Sequence, residues 1–150
     1  MKTVLQRVKR AEVRVDGEVV GRIAKGVLLL VAVERGDGPA DVRQTARKIA
    51  SLRIFPGDTP MDRNLSDVGG ACLVVSQFTI AGSVKKGRRP SFDKAAAPDE
   101  ARALYESLAS ELRDLGLPVE TGRFAAMMEV DLINDGPVTL LIITKGGALI

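Results

Sequence analysis

The sequence predicts an α+β fold in a single domain, spanning residues 1–150: a mostly antiparallel, barrel-like sheet with two main helices. Three observations carry that reading. Strand-forming segments outnumber helical ones and do not alternate strictly with them. A tight turn at Asp16-Gly17 joins two strand-like segments as a hairpin. Only two stretches, one after Pro39 and one after Pro98, repeat apolar residues at helical spacing.

Taken in order, Thr3 to Val8 reads as a strand, and Glu12 to Val15 alternates toward the hairpin turn. Glu18 to Ile23 returns from it. Val27 to Val33 is continuously apolar, the pattern of a strand buried on both faces. Gly36-Asp37-Gly38-Pro39 breaks the chain and opens a helix with Val42, Ala46, Ile49 and Leu52 on one side. Arg53-Ile54-Phe55 reads as a short strand, Pro56 to Gly70 as a loop, and Leu73 to Thr79 as a strand. Ala81 to Ala97 is basic and irregular. Pro98 sets the first turn of the second helix, whose stripe is Ala101, Leu104, Tyr105, Leu108, Leu112 and Leu115. Gly116 and Pro118 end it. Ala126 to Ile133 alternates, with Met128, Val130 and Leu132 to one side, and Val138 to Ile143 is the last core strand. The tail from Lys145 to Ile150 has no evident role.

Composition narrows the chemistry. The 150 residues are 45% hydrophobic and 27% charged, ordinary values for a globular domain with a real core. The longest apolar run, Gly26 to Val33, has a strand's length, well short of the roughly 20 residues a membrane helix needs. Met1 to Arg7 holds no apolar signal core, so a cytoplasmic location and no membrane partner are expected. The single cysteine, Cys72, lies among core-type neighbours and is expected to be a buried structural thiol. There is no histidine. Ser-His-Asp and Cys-His catalysis are therefore excluded, as are imidazole-based zinc sites. No Asp/Glu pair has a metal-loop spacing, so neither metal nor cofactor is expected. An enzyme built from this chain works through backbone groups, hydroxyls, carboxylates or its own substrate. The net charge of +3 is mild, but Lys85-Lys86-Gly87-Arg88-Arg89 and Arg7, Lys9, Arg10 concentrate it.

Four segments are candidates for function. Ser76-Gln77-Phe78-Thr79 closes an apolar strand where a sheet meets solvent. Thr79 has the hydroxyl of a nucleophile but no base to activate it, whereas backbone N–H groups at such a strand end can hold an oxyanion. Asn134-Asp135-Gly136-Pro137-Val138-Thr139 is good turn chemistry before the last strand, and its glycine also permits close approach of a ligand or another backbone. The basic loop, Lys85 to Phe92, is either a solvated surface or a phosphate contact. Phe124, in a chain with 3% aromatics, and nearby Met128 serve either the core or a stacked nucleobase.

Together with Leu5-Gln6-Arg7-Val8, Val15-Asp16-Gly17-Glu18, Leu52-Arg53-Ile54-Phe55 and Asn64-Leu65-Ser66, these segments resemble, in order, the D-aminoacyl-tRNA deacylases. The resemblance runs over nearly the whole chain, and its two signature motifs are Ser76 to Thr79 and Asn134 to Thr139. It implies an enzyme that hydrolyses the ester of D-aminoacyl-tRNA, and of glycyl-tRNA mischarged on an alanine tRNA. It implies a homodimer with the active site at the subunit interface. Ser76, Gln77, Phe78 and Thr79 of one subunit would line the pocket, and a cis Gly136-Pro137 of the other would enter it. The carbonyls of that dipeptide would face the substrate's α-carbon, so an L side chain would meet backbone. Arg7 resembles the arginine that steadies those carbonyls. Phe124 and Met128 match positions that pack around the terminal adenine, and Lys85, Lys86, Arg88 and Arg89 would meet the tRNA backbone. The ribose 2′-hydroxyl would help activate water, in keeping with the missing histidine. Ile80-Ala81-Gly82-Ser83-Val84 departs from the family's usual sequence after the first motif. A non-catalytic tRNA- or RNA-binding dimer is the alternative from another class. A related deacylase for L-alanyl-tRNA is disfavoured by the intact Ser76-Gln77-Phe78-Thr79.

Overall fold

A computed structural model describes all residues from Met1 to Ile150. The strands are β1 (Lys2–Val15), β2 (Glu18–Ile23), β3 (Gly26–Ala32), β4 (Ala71–Ser76), β5 (Val119–Thr121), β6 (Glu129–Lys145) and β7 (Ala148–Leu149). The helices are α1 (Pro39–Ser51) and α2 (Pro98–Asp114), with a 3-10 turn at Phe78–Ala81. No helix is long and apolar enough to cross a membrane.

One curled sheet organises the chain in the order β5-β4-β3-β1-β6-β7, with β2 also paired to β1. The long β1 pairs with β6 along one edge and serves two neighbours along the other. Its first half, Lys2 to Val8, pairs with β3, and its second half, Ala11 to Val15, pairs with β2. The β1–β2 turn has positive φ at both Asp16 (50°) and Gly17 (79°), the geometry that matches strand twist in two-residue hairpins. β2 folds back so far that a methyl group on Gly21 would collide with the Thr121 carbonyl oxygen, so only glycine fits there.

The sheet is mixed, not mostly antiparallel. β4 runs parallel to β3, and β5 parallel to β4. The reason lies in the connections: α1 with its following loop, and then α2, are long enough to carry the chain back for parallel pairing. The helices thus serve as crossovers between strands and are not segregated from them.

Both helices cover one face of the sheet. There Leu5, Val27, Leu29, Val31, Cys72 and Val74 pack with Val42, Ala46 and Ile49 of α1 and Tyr105, Leu108 and Leu112 of α2. The opposite face holds a smaller core of Val8, Ala11, Val13, Ile23, Leu28, Leu73 and Val75. β3 and β4 contribute to both cores by alternation, as the continuous apolar run predicts. Asp41 accepts a bond at 3.0 Å from the N–H of Gly38, just before Pro39. Asp99 and Glu100 sit in the first turn of α2, where the helix dipole favours negative charge.

Four further expectations change. Leu115 falls outside the buried stripe, 44% exposed at the C-terminal cap of α2. Phe55 makes only an isolated bridge to Arg63, so 53–55 is not a strand. The expected strand from 126 starts only at Glu129, and 129–133 and 138–143 belong to one strand, β6, interrupted by a bulge. The tail turns back as β7 onto Thr144 and Lys145, and the Gly147 N–H donates to the Asp41 carboxylate at 2.9 Å.

Candidate active site

The first motif leaves the sheet earlier than its sequence predicts. Ser76 is the last residue of β4, paired to Val31, and the Gln77 N–H still bonds the Val31 carbonyl at 2.8 Å. The chain then winds into the 3-10 turn, which carries Phe78 and Thr79 out to solvent. A tight helical start has no preceding carbonyls for its first N–H groups. Those of Phe78 and Thr79 accordingly have no acceptor in the protein. Gln77 donates from Nε2 to Thr79 Oγ1 at 2.5 Å. Phe78 is 54% exposed, held edge-on against Phe92 with ring centroids 5.1 Å apart.

The second motif is a bulge, not a turn between two strands. Val8 pairs with Asn134 and Gln6 with Thr139, so the four residues 135–138 stand opposite Arg7 alone. The Asn134 side chain closes the bulge, donating from Nδ2 to Thr139 Oγ1 at 2.9 Å and accepting from the Val138 N–H at 3.3 Å. Gln6 Nε2 reaches the same hydroxyl at 3.4 Å. Gly136-Pro137 is cis, and both residues are exposed at its crest.

Arg7 lies beneath that crest, only 7% exposed. Its Nε donates to the Asp135 carbonyl at 3.1 Å and lies 3.4 Å from the Asp135 carboxylate. Its Nη1 donates to the Ile54 carbonyl at 2.5 Å. The carbonyl it holds is thus the one just before Gly136. A methyl group on Gly136 would fall 2.7 Å from Arg7 Nη2. The roles of Asp135 and Ile54 have no signature in the sequence, because a carbonyl acceptor is independent of residue type.

Phe124 and Met128 follow β5 and pack against opposite cores, Phe124 on the helix-covered face and Met128 on the other. The Gly122 N–H bonds the Val74 carbonyl at 3.0 Å, and Gly122 has Met128 Sδ and Val75 as neighbours. Phe124 rests against Tyr105, centroids 5.8 Å apart, and Tyr105 donates its hydroxyl to the same Val74 carbonyl at 2.8 Å. Burial pushes the Tyr105 hydroxyl up to about 12 and the Cys72 thiol up to about 12. Cys72 is fully enclosed in the core, as its neighbours predict. Lys85, Lys86, Arg88 and Arg89 lie together on an exposed lobe, closed at its base by paired bonds between Ser83 and Ser91. None of the four has a carboxylate within 4.0 Å.

The two motifs do not meet within one chain. Arg7, under the bulge, pairs with Val27, and Val27 with Cys72, four residues before Ser76. Three strand spacings across and four residues along amount to about 14 Å and about 13 Å, or roughly 19 Å on a flat sheet.

Known proteins share both this fold and much of this sequence. Residues 4–143 match the family described as D-Tyr-tRNA(Tyr) deacylase. A D-aminoacyl-tRNA deacylase of Halalkalibacterium halodurans is 56% identical over 146 residues, covering 97% of this chain and all of that one. Among solved structures, one named c-Myc DNA Unwinding Element Binding Protein is 34% identical with a TM-score of 0.90, covering 97% of this chain and all of that one. A probable eukaryotic D-amino acid tRNA deacylase, 20% identical with a TM-score of 0.77 over 93% of this chain and 97% of its own, shares the fold. By family match and full-length identity, the chain belongs to the D-aminoacyl-tRNA deacylases, hydrolases of the aminoacyl-tRNA ester bond.

Proposed function

We propose that this protein hydrolyses D-aminoacyl-tRNA, and glycyl-tRNA mischarged on an alanine tRNA, as a cytoplasmic homodimer whose active site forms between subunits. The observation that carries the proposal is the separation of the two motifs: each protomer exposes both halves of a site but sets them three strands apart, roughly 19 Å on a flat sheet. A two-fold dimer lets one subunit's Gly136-Pro137 complete the other's Ser76 to Thr79 pocket, twice over. β6 supports that arrangement. Its outer edge is paired only at Thr144 and Lys145, and Ile133, Leu140 and Leu141 are 43%, 38% and 59% exposed along it. A long apolar strand edge is a template for pairing with a second chain.

In this site the free Phe78 and Thr79 N–H groups stabilise the oxyanion that forms when water attacks the ester carbonyl. The ribose 2′-hydroxyl takes that water's proton and passes its own to the departing 3′-oxygen, and collapse of the oxyanion breaks the ester C–O bond to release the free amino acid and the tRNA. Thr79 is a pocket wall, since its hydroxyl's side-chain partner is the Gln77 amide, which is not a base. Gly136 and Pro137 present backbone to the substrate's α-carbon, and Arg7 fixes their approach from below. Selection then acts on the hand of the amino acid and not on its side chain, and glycine, with nothing to reject, passes. Phe124 and Met128 flank the adenine, and Lys85, Lys86, Arg88 and Arg89 hold acceptor-end phosphates.

Hydrolysis of D-tyrosyl-tRNA beside L-tyrosyl-tRNA, with sedimentation of the same sample, tests the proposal. Release of the D form alone by a dimer is expected. Binding of tRNA with cleavage of neither ester would instead support a nucleic-acid-binding dimer, the class of activity for which the 34% identical structure is named.

A further inference from the structure

Beyond the pocket described, α2 and the segment after β5 enclose an open concavity of about 290 Å³. Arg102, Arg113 and Arg123 all line it, with Phe124 at one end. Arg102 and Arg113 are eleven residues apart, three helical turns, so they share one face of α2 at a separation of about 16 Å. Arg123 reaches the same space from the chain just after β5. Arg102 lies over the Phe124 ring, its Cζ 5.6 Å from the centroid.

Three guanidinium groups lining one groove make it a positive surface that attracts an anion. The protein supplies little to offset this. Glu106 also lines the groove, 3.2 Å from Arg102 Nε, but both side chains are about 60% exposed and such a pair contributes little. Arg113 makes a weak 3.3 Å bond to the Val119 carbonyl. Arg123 has no carboxylate within 4.0 Å. The arrangement suits an extended polyanion, since planar guanidinium forks match phosphate oxygens in pairs.

The groove's position supplies the identity of that polyanion. Phe124 ends the groove and leans on Tyr105, whose hydroxyl bonds Val74, two residues before Ser76. In the deacylase reading, where Phe124 packs by the terminal adenine, an RNA strand ending in the Ser76 to Thr79 pocket has this groove as its path beyond Phe124.

We propose that the α2 groove is a phosphate track for single-stranded RNA upstream of the terminal nucleotide, with Arg102, Arg113 and Arg123 each holding backbone phosphate. This rests on the deacylase reading, and it assigns to α2 a substrate-binding role separate from the basic lobe at Lys85 to Arg89. The track carries affinity for tRNA and no part of the chemistry.

The test compares two substrates: D-tyrosyl-tRNA, and D-tyrosyl-adenosine, which has the ester and the adenosine but no phosphate. The variant is R102Q/R113Q/R123Q, three positions outside the buried core. On tRNA, KM is expected to rise about tenfold or more at physiological salt while kcat holds, with a salt slope shallower by about 0.7 for each phosphate no longer held. Hydrolysis of D-tyrosyl-adenosine is expected to be unchanged. The variant with lysine at all three positions keeps the charges and is expected to restore the slope. An unchanged KM and slope on tRNA would overturn the track, as would an equal loss on both substrates. Wild-type protein inactive on both substrates would overturn the deacylase reading itself, a result distinct from either.

Discussion

Gly136→Ala puts the closest approach in the candidate site under direct test. Gly136 has φ of +120°, a conformation that L side chains rarely adopt. Holding alanine there costs about 1–3 kcal/mol. The added methyl would also lie 2.7 Å from Arg7 Nη2 and 3.0 Å from Val138 Cγ2. Arg7 is enclosed and tied to the Ile54 and Asp135 carbonyls, so it has nowhere to retreat without breaking a charge-assisted bond. That bond is worth about 1.5–3 kcal/mol. The two effects together come to about 2.5–6 kcal/mol. Gly116→Ala is the control, because Gly116 has φ of +84° with no atom near the added methyl. It isolates backbone strain, about 1–2 kcal/mol. Urea unfolding at fixed protein concentration is expected to place Gly136→Ala at least about 1.5 kcal/mol below Gly116→Ala, the value of the broken bond. D-tyrosyl-tRNA hydrolysis is expected to fall about 100-fold, the usual consequence of moving a substrate-positioning group by about 1 Å. Equal stability of the two variants, with activity within about threefold of wild type, would refute the clash and the role of the bulge together.

Three further expectations follow from the same geometry. Thr139→Val removes the hydroxyl that Asn134 and Gln6 both reach; a loss of about 1–2 kcal/mol is expected in urea, with a lower D-over-L selectivity measured on paired tyrosyl-tRNAs. Thr79→Ala is expected to keep activity within about tenfold of wild type, because the Gln77 amide cannot take its proton; abolished single-turnover cleavage with tRNA still bound would make Thr79 the nucleophile. Burial raises Cys72 to about 12 from 9.0 and Tyr105 to about 12 from 10.0, so between those values the unfolded chain loses protons that the folded chain keeps. Stability from these groups is therefore full below pH 9 and drains away toward pH 12; urea midpoints that stay flat over that window would contradict it.

Much of the chain was legible because its elements are local. Two proline-led helices with apolar stripes, a two-residue hairpin turn and a strand apolar on both sides each follow from residues close in sequence. The motifs, too, were legible as residues, since Ser76 to Thr79 and Asn134 to Thr139 carry unusual polar and backbone-exposing groups at the margins of apolar runs. The absence of histidine removed the imidazole-based mechanisms before any fold was known.

What the tertiary structure decided is pairing and direction. Periodicity reports which face a residue takes but not the partner beside it, so the parallel placement of β4 and β5 was invisible. The bulge in β6 has the sequence of a turn because Asn-Asp-Gly-Pro suits both; only the register of β1 against β6, with Arg7 facing four residues, tells them apart. The carbonyls that Arg7 holds, and the early turn that carries Phe78 and Thr79 away from β4, arise from backbone groups common to every residue type. Side-chain chemistry is written in the sequence, whereas the distances between backbone groups far apart along the chain exist only once the sheet has closed upon its cores.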